Sequence, residues 1–238
     1  MPTLIINADD FGLTKGVNYG IVDSYLDGIV SSTTMLVNTP GTNHAVSLAK
    51  EHPQLGVGIH LALTIGKPVL KTVSSLIDEE GNFKRLAQQR NEQTIDLDEV
   101  LKEWTAQIET FYGYGLRPTH LDSHHHIHTW SHLVPVIEQL SKTYHLPWRN
   151  NFDVPPLNIK VVSTVFDSRF YKEGVHSESI DAILFEHNDK ETVEVMCHPG
   201  YIDQDLLQLS SYTTERALEA QILTSFTLPE YCRTSKVR

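Results

Sequence analysis

Three short strand-like segments in this chain stop abruptly at acids or histidines, and that pattern limits the folds open to it. Leu4-Ile5-Ile6 leads into Asn7-Ala8-Asp9-Asp10. Residues 119–123 lead into His124-His125-His126-Ile127-His128, and residues 193–196 lead into Cys197-His198-Pro199-Gly200. The wholly apolar run Leu4-Ile5-Ile6 reads as a strand buried on both faces, as in a parallel sheet. Further strands are expected over 29–37, 55–63 and 146–149. Helical spacing fills the gaps: Val17, Ile21, Val22, Tyr25 and Leu26; residues 44–51 and 99–112; Leu133, Val134, Ile137 and Leu140; residues 214–224. Alternating strands and helices predict an α/β fold with a parallel sheet, open or closed into a barrel. No Pro/Gly/Ser-rich linker divides the chain, so one domain over 1–238 is expected. Residues 66–95 lack periodicity and read as an excursion or lid loop. Residues 150–190 carry no readable pattern.

In barrels of this class the chemistry sits where strands end. The segments bearing Asp9/Asp10, His60, His124–His128 and His198 are therefore expected to converge. Four imidazoles and Asp122 within eight residues are hard to explain as core packing, because neighbouring side chains point in different directions. Imidazole is a common metal ligand, so the cluster points to a divalent ion and hydrolytic chemistry. If the segment stays extended, His124 and His126 share a face and His125 opposes them. The remaining histidines would orient ligands or touch substrate.

Each position also has a plain structural reading. Asp9-Asp10 fits a cation ligand beside a general base, or an Asx turn or helix cap. His60, in an apolar strand, fits a satisfied core histidine as well as a ligand. Asp122 could buttress an imidazole or serve structure alone. His198 fits a general acid or a capping residue. Arg149 suits a substrate phosphate or carboxylate, but a salt bridge to one of the chain's acids is favoured. An Asp/His donor set accepts zinc, manganese, cobalt or magnesium. On residues alone the reading ends at metal-dependent hydrolysis of an unspecified bond.

The chain carries 19 basic and 30 acidic residues, a net charge of −11 with histidines neutral. That balance argues against a nucleic-acid or anionic-membrane partner. Two cysteines, Cys197 and Cys232, support no disulfide framework or zinc knot. Residues 1–7 have no basic lead-in of a signal peptide, and no apolar stretch approaches the length of a membrane span. A cytoplasmic protein is expected.

The segments Ile6-Asn7-Ala8-Asp9-Asp10-Phe11-Gly12, Gly58-Ile59-His60-Leu61, Thr119-His120-Leu121-Asp122-Ser123-His124-His125-His126 and Cys197-His198-Pro199-Gly200 occur together in this order. In combination they resemble the YdjC-like family of carbohydrate deacetylases, which includes chitooligosaccharide deacetylases. The resemblance runs from Leu4 to about Thr224 and is weakest over 66–95 and 150–190. It implies a distorted (β/α) barrel and a metal-dependent enzyme that removes acetyl groups from N-acetylated sugars. It implies Asp10, His60 and His124 as ligands of one ion, magnesium or zinc. It implies Asp9 as base and, by analogy with related polysaccharide deacetylases, His198 as acid. The implied substrate is a small sugar such as diacetylchitobiose, with 6-phosphorylation left open. Relatives suggest a homodimer, although the sequence carries no interface signature. His126, Arg149, Trp130 and Tyr201 are candidates for substrate contact, with a core role equally open for Trp130 and Tyr201. The rivals are a phosphoesterase, usually a two-metal site, another amidohydrolase, and a sugar- or metal-binding homologue without turnover.

Overall fold

The computed structural model describes residues 2–90 and 95–235. Strands β1 (Thr3–Phe11), β2 (Ser32–Met35), β3 (Gly56–Leu61), β4 (Leu121–Ser123), β5 (Val165–Asp167), β6 (Thr192–Cys197) and β7 (Arg233–Thr234) alternate with helices. The helices are α1 (Lys15–Leu26), α2 (Thr42–Glu51), α3 (Leu86–Gln89), α4 (Leu97–Gly113), α5 (Val134–Tyr144), α6 (Ser179–Glu186), α7 (Gln204–Leu209) and α8 (Thr214–Ser225). The sheet order is β4-β3-β2-β1-β6-β5, with β7 also on β1, and every pair is parallel. The result is a distorted (β/α) barrel.

β1, β2 and β3 are buried almost throughout because helices cover their outer face and their inner face lines the barrel. Local signals start the helices. Thr14 Oγ1 accepts from the Val17 N–H at the head of α1, and Asp96 caps α4 through the Asp98 and Glu99 amides. Gly20 lets α1 approach the turn after β6, since a Cβ there would lie 2.5 Å from Gly200 Cα.

Most expected elements are present with shifted ends. The expected strand over 146–149 is reduced to single bridges from Trp148 to Leu121 and Val161. Pro147 has no N–H for a ladder, and Arg149 turns inward. The excursion over 66–95 is tied down where it is described, while 91–94 lie outside the described residues. Glu103 accepts from the Val69 and Leu70 amides, and Gln89 donates to the Leu63 and Leu76 carbonyls. The unreadable stretch 150–190 contains β5 and α6, of three and eight residues. Three residues are too few for a period. No described helix is long and apolar enough to cross a membrane.

Candidate active site

The strand ends meet at a cavity of about 560 Å³ lined by Asp9, Asp10, His60, His124, His126, His198 and Arg216 among others. The convergence expected from four separate segments therefore holds for these residues.

Asp9 and Asp10 lie next to each other but face different partners. The β1–β2 register slips between Ala8 and Phe11, and Asp10 has a φ of +70°. A bulge of this kind re-aims neighbouring side chains. Asp9 receives both terminal nitrogens of Arg149, at 2.7 and 2.6 Å. Asp10 Oδ1 lies 3.4 Å from His60 Nε2 and 3.1 Å from His124 Nδ1, while Oδ2 accepts from Arg216 Nη2 at 2.6 Å.

These separations fit a shared ion. Donors about 2.0–2.2 Å from one metal stand about 2.9–3.4 Å apart in octahedral or tetrahedral arrangements. One donor atom from each of Asp10, His60 and His124 lies within 4.8 Å of the others. The other nitrogen of His60 is 2.7 Å from Asp122 Oδ1, the carboxylate–imidazole arrangement that orients a metal ligand. Burial works against a charged His60. Asp122, followed by Asp9 and Asp10, overcomes it and raises the imidazole to about 9. A field that holds a proton so firmly also favours a divalent cation.

Asp9, His60 and Asp122 make a second cluster. A cation already occupies it: Arg149 Nη1 is 2.7 Å from Asp9 and 2.9 Å from Asp122. The Arg149 Nε donates to Glu194 at 2.7 Å. Burial raises Asp9, but Arg149 more than offsets this and keeps the carboxyl below its usual range. Burial lifts Glu194 to about 7 despite Arg149. Arg149 itself is 0% exposed, so the structure shows the salt bridge and gives no support to a substrate contact by this residue.

The histidine run departs from the extended reading. It forms a 3-10 segment, His124–Thr129, in which His125 and His126 have φ of 57° and 55°. Left-handed backbone costs a non-glycine residue about 1–2 kcal/mol, and here it splays the rings. His124 reaches Asp10, and His125 Nδ1 meets Thr64 Oγ1 at 2.9 Å. His126 packs edge-on to Phe166, and His128 sits between Ser123 and Asn151 at 2.6 and 2.7 Å. Thus His124 and His126 do not share one contact face.

Trp130 stacks on His132, and the Tyr201 hydroxyl donates to Asp23 at 2.7 Å. Neither lines the cavity; the aromatic rings that do are Tyr171 and Tyr212.

His198 enters from the turn after β6. Its N–H donates to Glu219, which also accepts the Tyr212 hydroxyl. Burial lowers the His198 imidazole to about 4 and raises the Glu219 carboxyl to about 8. Among the described residues, His198 Nδ1 has no hydrogen-bond partner.

A family model described as YdjC-like protein matches residues 3–234. The chain belongs to the YdjC-like family. A carbohydrate deacetylase of Halalkalibacterium halodurans is 48% identical over 231 residues, covering 95% of this chain and 97% of the relative. One from Geobacillus stearothermophilus is 44% identical, covering 94% and 90%. A crystal structure from Enterococcus faecalis V583, described as a candidate cellobiose-phosphate cleavage protein, superposes with a TM-score of 0.89. It is 36% identical and covers 94% of this chain and 91% of its own.

In this YdjC-like chain, sequence reasoning missed Glu194, Arg216 and Glu219. Arg216 and Glu219 stand three apart on α8 and look in sequence like a charge pair on a solvated face. Their burial, 3% and 0% exposed, is what separates them from such a pair. Glu194 in the late strand Val193-Glu194-Val195 did carry a signal, because an acid inside an apolar run needs a partner.

Proposed function

We propose that this YdjC-like chain is a metal-dependent carbohydrate N-deacetylase. It would release acetate from N-acetylglucosamine units of a small sugar such as N,N′-diacetylchitobiose. The observation that carries the reading is the trio Asp10, His60 and His124, with donor separations of 3.1 and 3.4 Å, in one cavity with Asp9 and His198. The relatives named carbohydrate deacetylases support it.

Asp10, His60 and His124 would hold the ion, magnesium or zinc. When bound, it would polarise the acetamide carbonyl and acidify a water. Asp9, kept ionised by Arg149, takes a proton as the water oxygen bonds to the carbonyl carbon. Its low basicity suits an already acidified water, and its two anchored oxygens fix its direction. His198 gives a proton to the departing sugar amine as the C–N bond breaks. Burial holds its imidazole neutral at pH 7, so the proton it delivers is the one Asp9 took from the water, and the nearby charges of Asp9 and Asp10 favour its transfer to the ring. His126, on the cavity wall, contacts the sugar in this reading.

A two-metal phosphoesterase is disfavoured because Arg149 occupies the second acidic cluster. A non-catalytic homologue is disfavoured because Asp9 and His198 both line the cavity. A single domain, a cytoplasmic location and a homodimer remain part of the proposal. The test is acetate release from N,N′-diacetylchitobiose and its 6-phosphate by metal-stripped protein, with and without added magnesium or zinc. Metal-restored release is the expected result. Folded, metal-loaded protein that releases none from either sugar would overturn the proposal.

A further inference from the structure

Arg216 is 3% exposed, lines the cavity and has one nitrogen, Nη1, with no hydrogen-bond partner among the described residues. The guanidinium is otherwise fixed. Nη2 donates to Asp10 Oδ2 at 2.6 Å, and Nε donates to the Tyr212 carbonyl at 2.9 Å. The Gly200 N–H donates to the Arg216 carbonyl at 3.1 Å, joining α8 to the turn that carries His198. Nη1 is thus a buried, oriented, charged donor at the cavity wall. Leaving such a donor unmet costs more than a hydrogen bond returns, so it calls for a partner from outside the described residues: water, an ion or a ligand.

We propose that Arg216 contacts the substrate, its Nη1 donating to the acyl oxygen of the bound amide as negative charge develops there. The inference rests on the deacetylase reading. Asp10 ties the placement together: Oδ1 faces His60 and His124, and Oδ2 holds Arg216. The donor therefore sits one carboxylate away from the ligand trio, where the acyl oxygen must lie. Two unpartnered nitrogens on this wall then serve the two sides of one amide. Arg216 Nη1 meets the oxygen and His198 meets the nitrogen. A guanidinium held at two of its three nitrogens needs no reorganisation at the moment of reaction, the condition under which such donors count most.

The test compares wild type with Arg216→Met and Arg216→Lys. It measures kcat and KM for diacetylchitobiose, the zinc Kd of metal-stripped protein by calorimetry, and thermal melting. Lys keeps a cation for Asp10 but loses the forked second donor. Both variants are expected to lose about a hundredfold in kcat, with KM and zinc Kd changed by less than about threefold, since the contact forms only in the transition state. A kcat loss below tenfold would overturn the inference. So would a loss that saturating zinc restores, which makes Arg216 only a positioning residue for Asp10. If the Met variant does not fold, the isocharged Lys variant decides, and failure of both to fold makes the role structural and also overturns it. Wild type that binds zinc but releases no acetate removes the deacetylase reading itself, whereas active wild type with unaffected variants removes only the Arg216 contact.

Discussion

The floor and the α8 wall of the cavity solve the same problem, buried charge, in opposite ways. On the floor, Arg149 faces Asp9, Asp122 and Glu194, and all its nitrogens are used. On the wall, Arg216 meets one carboxylate, Glu219 is held protonated at about neutral pH, and Arg216 Nη1 and His198 Nδ1 stay unmatched. The difference teaches where each region is finished. On the floor every nitrogen of Arg149 is paired and only the Glu194 Oε2 acceptor has no partner among the described residues, so Asp9, and through Asp122 also His60, are oriented before anything binds. On the wall a charged donor, Arg216 Nη1, has no partner among the described residues, and the proposed amide substrate would supply one.

The largest effect expected from breaking this contrast is at the ligand trio. His60→Ala or Asp10→Asn should abolish metal binding, seen as loss of bound zinc by elemental analysis, and acetate release should fall with it. Retention of stoichiometric zinc would remove that residue from the ligand set. Asp9→Asn should come next, lowering kcat by about 10²–10⁴ as a general base is lost while leaving the metal bound; loss of zinc in this variant would mean that Asp9 is a ligand instead.

Stability separates the regions more directly. Arg149→Met strands three buried acids and should cost about 3–5 kcal/mol in urea melts, in line with breaking a buried ion pair. Arg216→Met strands one and should cost less. Equal losses would erase the distinction between floor and wall.

A pH series gives a smaller effect. Burial lowers His120 and His128 from 6.5 to about 4. Between those values these two rings bind more protons in the unfolded chain, so their contribution to stability falls as pH drops from about 6.5 to about 4 and is level above. Each ring contributes up to about 3 kcal/mol over that window. His128→Gln should flatten the slope by about one proton, and an unchanged slope would show that this ring is not buried neutral. The smallest effect is Glu219→Gln. A protonated carboxyl and an amide offer similar bonds, so kcat should change by less than about tenfold, whereas Glu219→Ala should lower it further by releasing the His198 turn.

The class of fold was open to reading because apolar runs and helical spacing are local properties. So was the neighbourhood of the site, since strands that are parallel bring their polar ends to one face. Elements of three residues, such as β5, were not, and neither was the split of the histidine run. Two left-handed residues at His125 and His126 carry a local cost, set against contacts of His125 with Thr64 and of His126 with Phe166 that exist only in the closed chain.

What the sequence determined by itself was the alternation of strands and helices and the set of side chains delivered to one end of the sheet. Its motif order also identified the family. Tertiary structure alone decided that Arg149 is sealed beneath the cavity and that Arg216 enters from a helix some two hundred residues from its partner Asp10. The reason is physical. A residue's type and spacing set which groups arrive, but charge pairing depends on burial and distance, and those exist only once the chain has closed.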